Sequence, residues 1–269
     1  MSKTVKKSAK LNSAAAGNKI VIGNWKMKKG LAESVALAKE LAEKFKDFNV
    51  AGKTVAVCPT LVALTEVNKV LKKSEMKMGA QNVFWEDRGA YTGEISPQML
   101  IEAGCQYVII GHSERRKYLL ENYSMIHLKV REVLNTEKLI PVVCIGEENE
   151  DRKTDRRDFV LLNQLQQALG GIDISENQKV IVAYEPVWAI GSGTAIEPNE
   201  VTYAHKIIRL ALDDMFGMQV VEKNFQIIYG GSVTGKNVKS FSNLENMDGL
   251  LVGGASLDAE EFYKICRGI

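Results

Sequence analysis

The sequence lacks the features that mark several protein classes. Its 4 cysteines, Cys58, Cys105, Cys144 and Cys266, form no C-x-x-C pair, so it carries no zinc-ribbon or dithiol redox motif. Its 3 histidines stand at no metal-ligand spacing from carboxylates or from one another. A mechanism with no metal and no cofactor is therefore expected. No apolar run is long enough to span a bilayer, and no secretory leader is visible. Neither sign of charge dominates: 35 basic residues face 33 acidic ones, a net charge of +2. Nothing in that balance points to a nucleic-acid or membrane partner. What remains is ordinary for a globular protein, 45% hydrophobic and 25% charged. A cytosolic (cytoplasmic) protein with reduced thiols is the expectation.

The length of 269 residues suits one large α/β domain or two small ones. Residues 1–18 read differently from the rest. They carry only basic charges, are rich in Ser, Ala and Asn, and are expected to form a disordered tail. From residue 19 to residue 269 the chain alternates. Apolar runs rich in β-branched residues are KIVIGNW, TVAVCPT, MKMGAQNV, YVIIGHS, IPVVCIGE, VIVAYEP, FQIIYGG and DGLLVGG. Between them lie segments of helical period, clearest in LAESVALAKELAEKF, SMIHLKVREVL, FVLLNQLQQAL and VTYAHKIIRLAL. Weaker helical patterns are LVALTEVNKVLKK, SPQMLIEAG, KNVKSFSN and AEEFYKICR. The strand-like runs are nearly continuous in hydrophobicity, as in a parallel sheet covered by helices. Eight such units predict a closed (β/α)₈ barrel of class α/β, in a single domain without internal linker. An open doubly wound sheet is the alternative. It would usually carry G-x-G-x-x-G after an early strand, where this chain has GNWKMKKG.

Polar residues gather where the predicted strands end: Asn24 and Lys26, Gln81 and Asn82, His112 to Glu114, Glu147, Glu185, Gly230 to Ser232, and Gly253 with Gly254. In a barrel these ends share one face, the face that carries active sites. His112 precedes Ser113, a candidate helix N-cap. The N-terminal end of a helix dipole disfavours imidazolium, so a neutral, hydrogen-bond-donating ring is expected. His127 and His205 lie within helical patterns and read as surface residues. Strand alternation aims Lys26 toward the mouth. The glycine pairs after the last two strands let backbone N–H groups approach a phosphate. Met27, Met99 and Met125 read as packing, and Cys144 as core.

Seven segments carry a resemblance: GNWKM, AQNV-x-W-E-D-x-GAYTGEIS, GHSERR, PVVCIGE, AYEPVWAIGSG, YGGSV and LLVGGASL. In this order and spacing they closely resemble the triosephosphate isomerase family. The resemblance covers essentially everything after residue 18. It implies interconversion of dihydroxyacetone phosphate and glyceraldehyde 3-phosphate, in glycolysis and gluconeogenesis. It implies that Glu185 is the base, that neutral His112 polarises the carbonyl oxygens, and that Lys26 stabilises the enediolate and the phosphate. Asn24 would help fix the substrate. Backbone N–H groups at Gly191, Ser232, Gly253 and Gly254 would hold the phosphate, and PVWAIGSG would form a lid. A homodimer is also implied. Thr92 would steady Asn24 and Lys26 of the partner, and Glu94 would pair with the partner's arginine equivalent to Arg115.

The chain departs from the family pattern at the second lid hinge, Thr194-Ala195-Ile196, and at Lys28 and Gly235. It also departs after Glu147, where Asn149, Asp155 and Arg157 alter a helix cap around Arg152. An inactive copy with a binding or scaffold role would be expected to lack Glu185, His112 or Lys26, and all three are present. A metal-dependent sugar-phosphate epimerase would need a histidine and carboxylate set at the strand ends, which the sequence does not supply.

Overall fold

Eight parallel strands pair each with the next, and β8 returns to β1, in the computed structural model, which describes residues 18–48, 52–190 and 196–269. The strands are β1 (Lys19–Asn24), β2 (Lys53–Cys58), β3 (Lys77–Ala80), β4 (Tyr107–Ile110), β5 (Ile140–Ile145), β6 (Val180–Tyr184), β7 (Phe225–Tyr229) and β8 (Gly249–Val252). Helices follow them on the outside. They are α1 (Leu31–Lys44), α2 (Leu64–Leu71), α3 (Pro97–Glu102), α4 (Ser113–Leu119), α5 (Tyr123–Asn135), α6 (Asn149–Lys153), α7 (Arg157–Leu169), α8 (Pro198–Phe216), α9 (Met218–Asn224) and α10 (Ala259–Gly268). The closed (β/α)₈ barrel is therefore the observed fold. The expected tail lies outside the described residues except for Asn18. Its side chain donates to Thr54 Oγ1, and its carbonyl accepts from Gln226 at the start of β7.

The strands are apolar throughout because both of their faces are buried. Side chains alternate along a strand. One set fills the barrel interior: Ile20, Ile22, Ala56, Cys58, Tyr107, Ile109, Val142, Cys144, Ile181, Ala183, Ile228 and Leu251. The intervening set, including Val21, Val57, Val108, Val143 and Val182, packs beneath the helices. The longer helices answer with one apolar stripe each. On α7 it is Leu161, Leu165, Ala168 and Leu169, with Gln164 as a buried polar exception. Burying one such aliphatic side chain is worth about 1.5–3 kcal/mol, so the two-sided burial of the strands dominates the fold. Among the described residues, no helix is long and apolar enough to cross a membrane.

Four expectations need correction. KNVKSFSN forms only a short 3₁₀ turn at Val238–Ser240. There the Ser240 and Ser242 hydroxyls donate to the carbonyls of Asn237 and Lys239, competing with helix formation. MKMGAQNV is extended only to Ala80, after which the chain leaves the sheet. Met27 and Met99 are not core residues; Met27 is 93% exposed and Met99 49%. His205 is not at the surface. It is fully buried on α8, with Nδ1 3.1 Å from the Asn246 carbonyl and its ring edge-on to Tyr184. The reading of Cys144 as core holds, and all four cysteines are buried and free.

Burial lowers the His205 pKa to about 4, and the Asn246 carbonyl opposes this only in part. An unfolded chain returns the ring to about 6.5, so between these values the unfolded state binds the extra proton. Stability contributed by the neutral ring is thus present above about pH 6.5 and is lost as pH falls toward 4. The expected slope from this one group is about 1.4 kcal/mol per pH unit. Urea unfolding of wild type and His205→Gln at pH 7, 5.5 and 4.5 checks it. The difference between the two proteins should shrink as pH falls.

Candidate active site

Inward alternation continues past the strand ends and builds one more layer at the mouth. Two residues beyond Ile22 stands Asn24, and two beyond Ala183 stands Glu185. Two beyond Cys144, Ile228 and Leu251 stand Gly146, Gly230 and Gly253. The layer is therefore side chain on one side and vacant on the other. The glycines are required by close approach. A Cβ at Gly230 would lie 2.9 Å from Glu185 Cγ, and one at Gly146 would lie 1.7 Å from the Glu185 carbonyl oxygen. Buried Gln164 fixes Gly146 by accepting from its N–H at 2.7 Å and donating to its carbonyl at 3.0 Å.

Glu185 is 1% exposed, and both of its carboxylate oxygens are engaged. Oε2 accepts the Ser113 N–H at 3.0 Å, and Oε1 lies 3.0 Å from His112 Nε2. His112 enters the site because Gly111, at φ 72°, turns the chain off the strand. The helix cap is His112 itself and not Ser113 as expected: its Nδ1 accepts the Glu114 N–H at 3.2 Å. A ring nitrogen that accepts carries no proton. The ring is then neutral, with its one N–H on Nε2, aimed at Glu185.

Lys26 follows with a backbone φ of 51°, a region that costs a non-glycine residue on the order of 1–3 kcal/mol. Three contacts hold it there. Its N–H donates to Asn24 Oδ1 at 3.0 Å. Gln81 Nε2 donates to the carbonyls of both Lys26 and Cys58 at 2.9 Å. Lys26 Nζ lies 2.7 Å from Glu114 Oε1, in a pair whose acidic partner is 44% exposed and which is correspondingly weak.

Asn24, Lys26, His112, Glu185, Gly230, Gly231, Ser232, Gly253 and Gly254 share one cleft of about 300 Å³. Opposite the charged groups, the loop after β7 and the 3₁₀ turn Gly254–Leu257 after β8 present main chain. Among the described residues, no acceptor takes the N–H of Ser232. The arrangement thus sets a buried carboxylate, a neutral imidazole N–H and an ammonium at one end, with backbone donors suited to an anion at the other. Gly191 lies outside the described residues, as do Thr194 and Ala195 of the second hinge. Among the described residues, no group of three potential metal ligands converges.

Glu147, also at a strand end, does not reach the cleft. Its Oε1 accepts from Trp188 Nε1 at 2.8 Å and from Tyr184 at 3.1 Å, so it anchors the turn Val187–Ala189. Burial raises its carboxyl above the usual range despite these donors. Arg152 stacks over the Trp188 ring at 4.0 Å, and α6 carries a Glu148–Asp151 capping box where the altered cap was expected. Gln81 and Asn82 line a neighbouring recess of about 600 Å³ together with Met27, Glu94 and Arg115. Thr92 and Glu94 are exposed on the loop tip, above a cluster in which Phe84 stacks on Trp85 and meets Tyr91. Arg115 is held within its own chain, 2.5 Å from Glu121 Oε2. Burial alone would raise the Glu121 carboxyl, but Lys129 and Arg115 more than reverse this and hold it low. The other oxygen of Glu121 accepts the Gly111 N–H at 3.1 Å, bracing the turn that delivers His112. Sequence reasoning missed Gly146, Gln164, Glu121 and Lys129. Only the buried polar residues within apolar helix stripes, Gln164 and Lys129, left a signal.

The family model for triosephosphate isomerase matches residues 19–269. A protein of that name from Caldanaerobacter subterraneus subsp. tengcongensis is 46% identical over 246 residues, covering 91% of this chain and 97% of its own. Another, from Dictyoglomus turgidum, is 42% identical over 249 residues, covering 93% and 98%. A third, from Thermoanaerobacter pseudethanolicus, is 45% identical over 249 residues, covering 91% and 97%.

Gln81→Ala removes the donor from two carbonyls at once. It should lower the unfolding free energy by about 2 kcal/mol, the usual cost of stranded acceptors. Urea unfolding at pH 7 measures it. A loss under about 0.5 kcal/mol would mean that water replaces the amide.

Proposed function

This chain belongs to the triosephosphate isomerase family, and from that premise we propose that it interconverts dihydroxyacetone phosphate and D-glyceraldehyde 3-phosphate through an enediolate, serving glycolysis and gluconeogenesis. The observation that carries the reading is the contact between Glu185 and His112. A carboxylate in water is a weak base for a C–H proton. In this cleft it is stripped of water and held by two donors that substrate can displace. When a carbonyl oxygen takes the His112 Nε2–H, the Glu185 oxygen that faced it is released toward the adjacent carbon. Glu185 removes the proton on that carbon while His112 donates to the oxygen on which negative charge develops; Glu185 then returns the proton to the former carbonyl carbon, and His112 recovers its own from the other oxygen. Lys26 adds a positive charge beside the same oxygens, and Asn24 fixes both substrate and Lys26. A positioned acid–base group contributes about 10²–10⁴ in rate, and each oriented oxyanion donor about 3 kcal/mol.

The phosphate lies at the far end, on the N–H groups of Ser232, Gly253 and Gly254, with Gly191 completing the set. The segment after Glu185 acts as lid. It excludes water from an enediolate that would otherwise expel phosphate. No cofactor is required in this scheme.

The same reading makes the protein a homodimer. The recess beside the cleft is bordered by exposed apolar residues: Met27, Leu61 at 51%, Tyr118 at 69% and Leu119 at 61%. A patch of that kind is suited to burial against a partner. The loop tip bearing Thr92 and Glu94 would enter the partner's recess and approach the partner copy of Arg115, Asn24 and Lys26. We take residues 19–269 as the catalytic unit. We place it in the cytoplasm, where the four free buried cysteines remain reduced.

Glu185→Gln should lower kcat for glyceraldehyde 3-phosphate by about 10³ or more, and chelator should change neither protein. A coupled assay with and without chelator reads both. Equal activity of variant and wild type would remove Glu185 from the role of base. Met27→Glu places a charge on a side chain that is 93% exposed in the protomer. It should leave the fold intact and shift sedimentation from dimer to monomer. A wild type that sediments as a monomer would end the dimer reading.

A further inference from the structure

The loop after β7 contains a bracket that the reading above does not use. Asn237 Oδ1 accepts the Thr234 N–H at 2.7 Å, and Thr234 Oγ1 accepts the Asn237 N–H at 3.3 Å. These reciprocal bonds alone would be a capping box for the turn Val238–Ser240. A third contact goes further. Asn237 Nδ2 donates to the Ser232 carbonyl at 3.3 Å, so one carboxamide grips the main chain at both 232 and 234. Ser232 follows Gly230 and Gly231, which lack the Cβ that restricts the backbone of other residues. Upstream, the Gly230 N–H donates to the Tyr184 carbonyl at 2.8 Å. Downstream, the Gly235 N–H donates to Glu261 Oε1 of α10 at 2.8 Å. Between these anchors, Asn237 fixes the dihedrals on the carbonyl side of Ser232. Asn237 also lines the cleft.

We infer that Asn237 is a positioning residue for the substrate's phosphate. Its carboxamide holds Ser232 so that the Ser232 N–H points into the cleft. The inference rests on the phosphate-binding reading of this end of the cleft and adds a residue to it. Asn237 does not touch the reacting carbons. Its loss weakens every phosphate-bearing ligand to the same degree and leaves the proton transfer at Glu185 nearly unchanged. A residue that only capped the turn would instead lower stability without changing affinity.

The test compares wild type, Asn237→Ala and Ser240→Ala. Ser240→Ala removes the 2.7 Å bond from Ser240 Oγ to the Asn237 carbonyl, weakening the same turn while leaving the carboxamide in place. Two ligands are used: glyceraldehyde 3-phosphate for KM and kcat, and glycerol 3-phosphate, which has no carbonyl to isomerise, for Kd by calorimetry. Asn237→Ala should raise KM and Kd in parallel, by about tenfold, with kcat within about twofold of wild type. Ser240→Ala should lower Tm and change neither constant. An Asn237→Ala protein whose Kd stays within about twofold of wild type overturns the inference, whatever its Tm. A wild type that binds glycerol 3-phosphate but does not isomerise refutes the catalytic reading alone, and the Kd comparison still decides the role of Asn237. A wild type that binds no glycerol 3-phosphate overturns both.

Discussion

A carboxylate buried at the mouth of an apolar barrel is the constraint on which the other features depend. Glu185 is removed from water, and removing a charge from water is costly unless donors replace the solvent. The Ser113 N–H and the His112 ring supply them. Both come from the segment after β4, one strand removed from β6 across β5, so the turn at Gly111 and the start of α4 must be placed to within a hydrogen-bond length. The cap on α4 then sets the tautomer of His112. One interaction thereby links the fold, a helix terminus and the protonation of a ring.

The barrel makes room for this group by leaving the rest of its top layer vacant. Gly146, Gly230 and Gly253 continue the inward register that Cys144, Ile228 and Leu251 occupy lower down. A side chain at either of the first two would collide with Glu185 or its backbone. The cleft is thus the last layer of the core with side chains removed on one side. Its rigidity comes from the polar groups behind it. Gln164 clamps Gly146, Glu121 clamps Gly111, and Gln81 holds Lys26 in a backbone conformation that lysine disfavours. Each of these side chains satisfies main-chain groups, which helix and sheet hydrogen bonding cannot do where the strands end.

Outside the cleft, one face of the chain exposes apolar side chains. The apolar residues around the recess are exposed, while Arg115 beneath them is already tied to Glu121. The loop after β3 buries part of its own aromatic surface, Phe84 on Trp85, and still presents its tip to solvent. That combination of a recess and a projecting loop in one chain is the observation behind the dimer proposed above.

The architecture was legible in the sequence because burial on both faces leaves unbroken apolar runs, and helices on a sheet need one apolar stripe each. The residues of the cleft were legible for a related reason: a polar side chain or a glycine pair directly after such a run has few roles other than the mouth of a barrel. Local chemistry was less legible. KNVKSFSN has a helical pattern, yet its serines bond the nearby backbone, and no pattern weighs that competition. His205 sits in a helical sequence whose inner and outer faces are both rich in apolar residues, so its burial depended on where α8 landed against Asn246. The sequence by itself determined the order of the eight strands, the main helices between them and which polar residues gather where most strands end. Only the tertiary structure decided that His112 caps its own helix, that Gly146 backs Glu185, and that Asn237 reaches Ser232. Gly146 meets Glu185 only once the barrel closes, and the other two contacts, though local, depend on distances of about 3 Å that hydrophobic periodicity does not record.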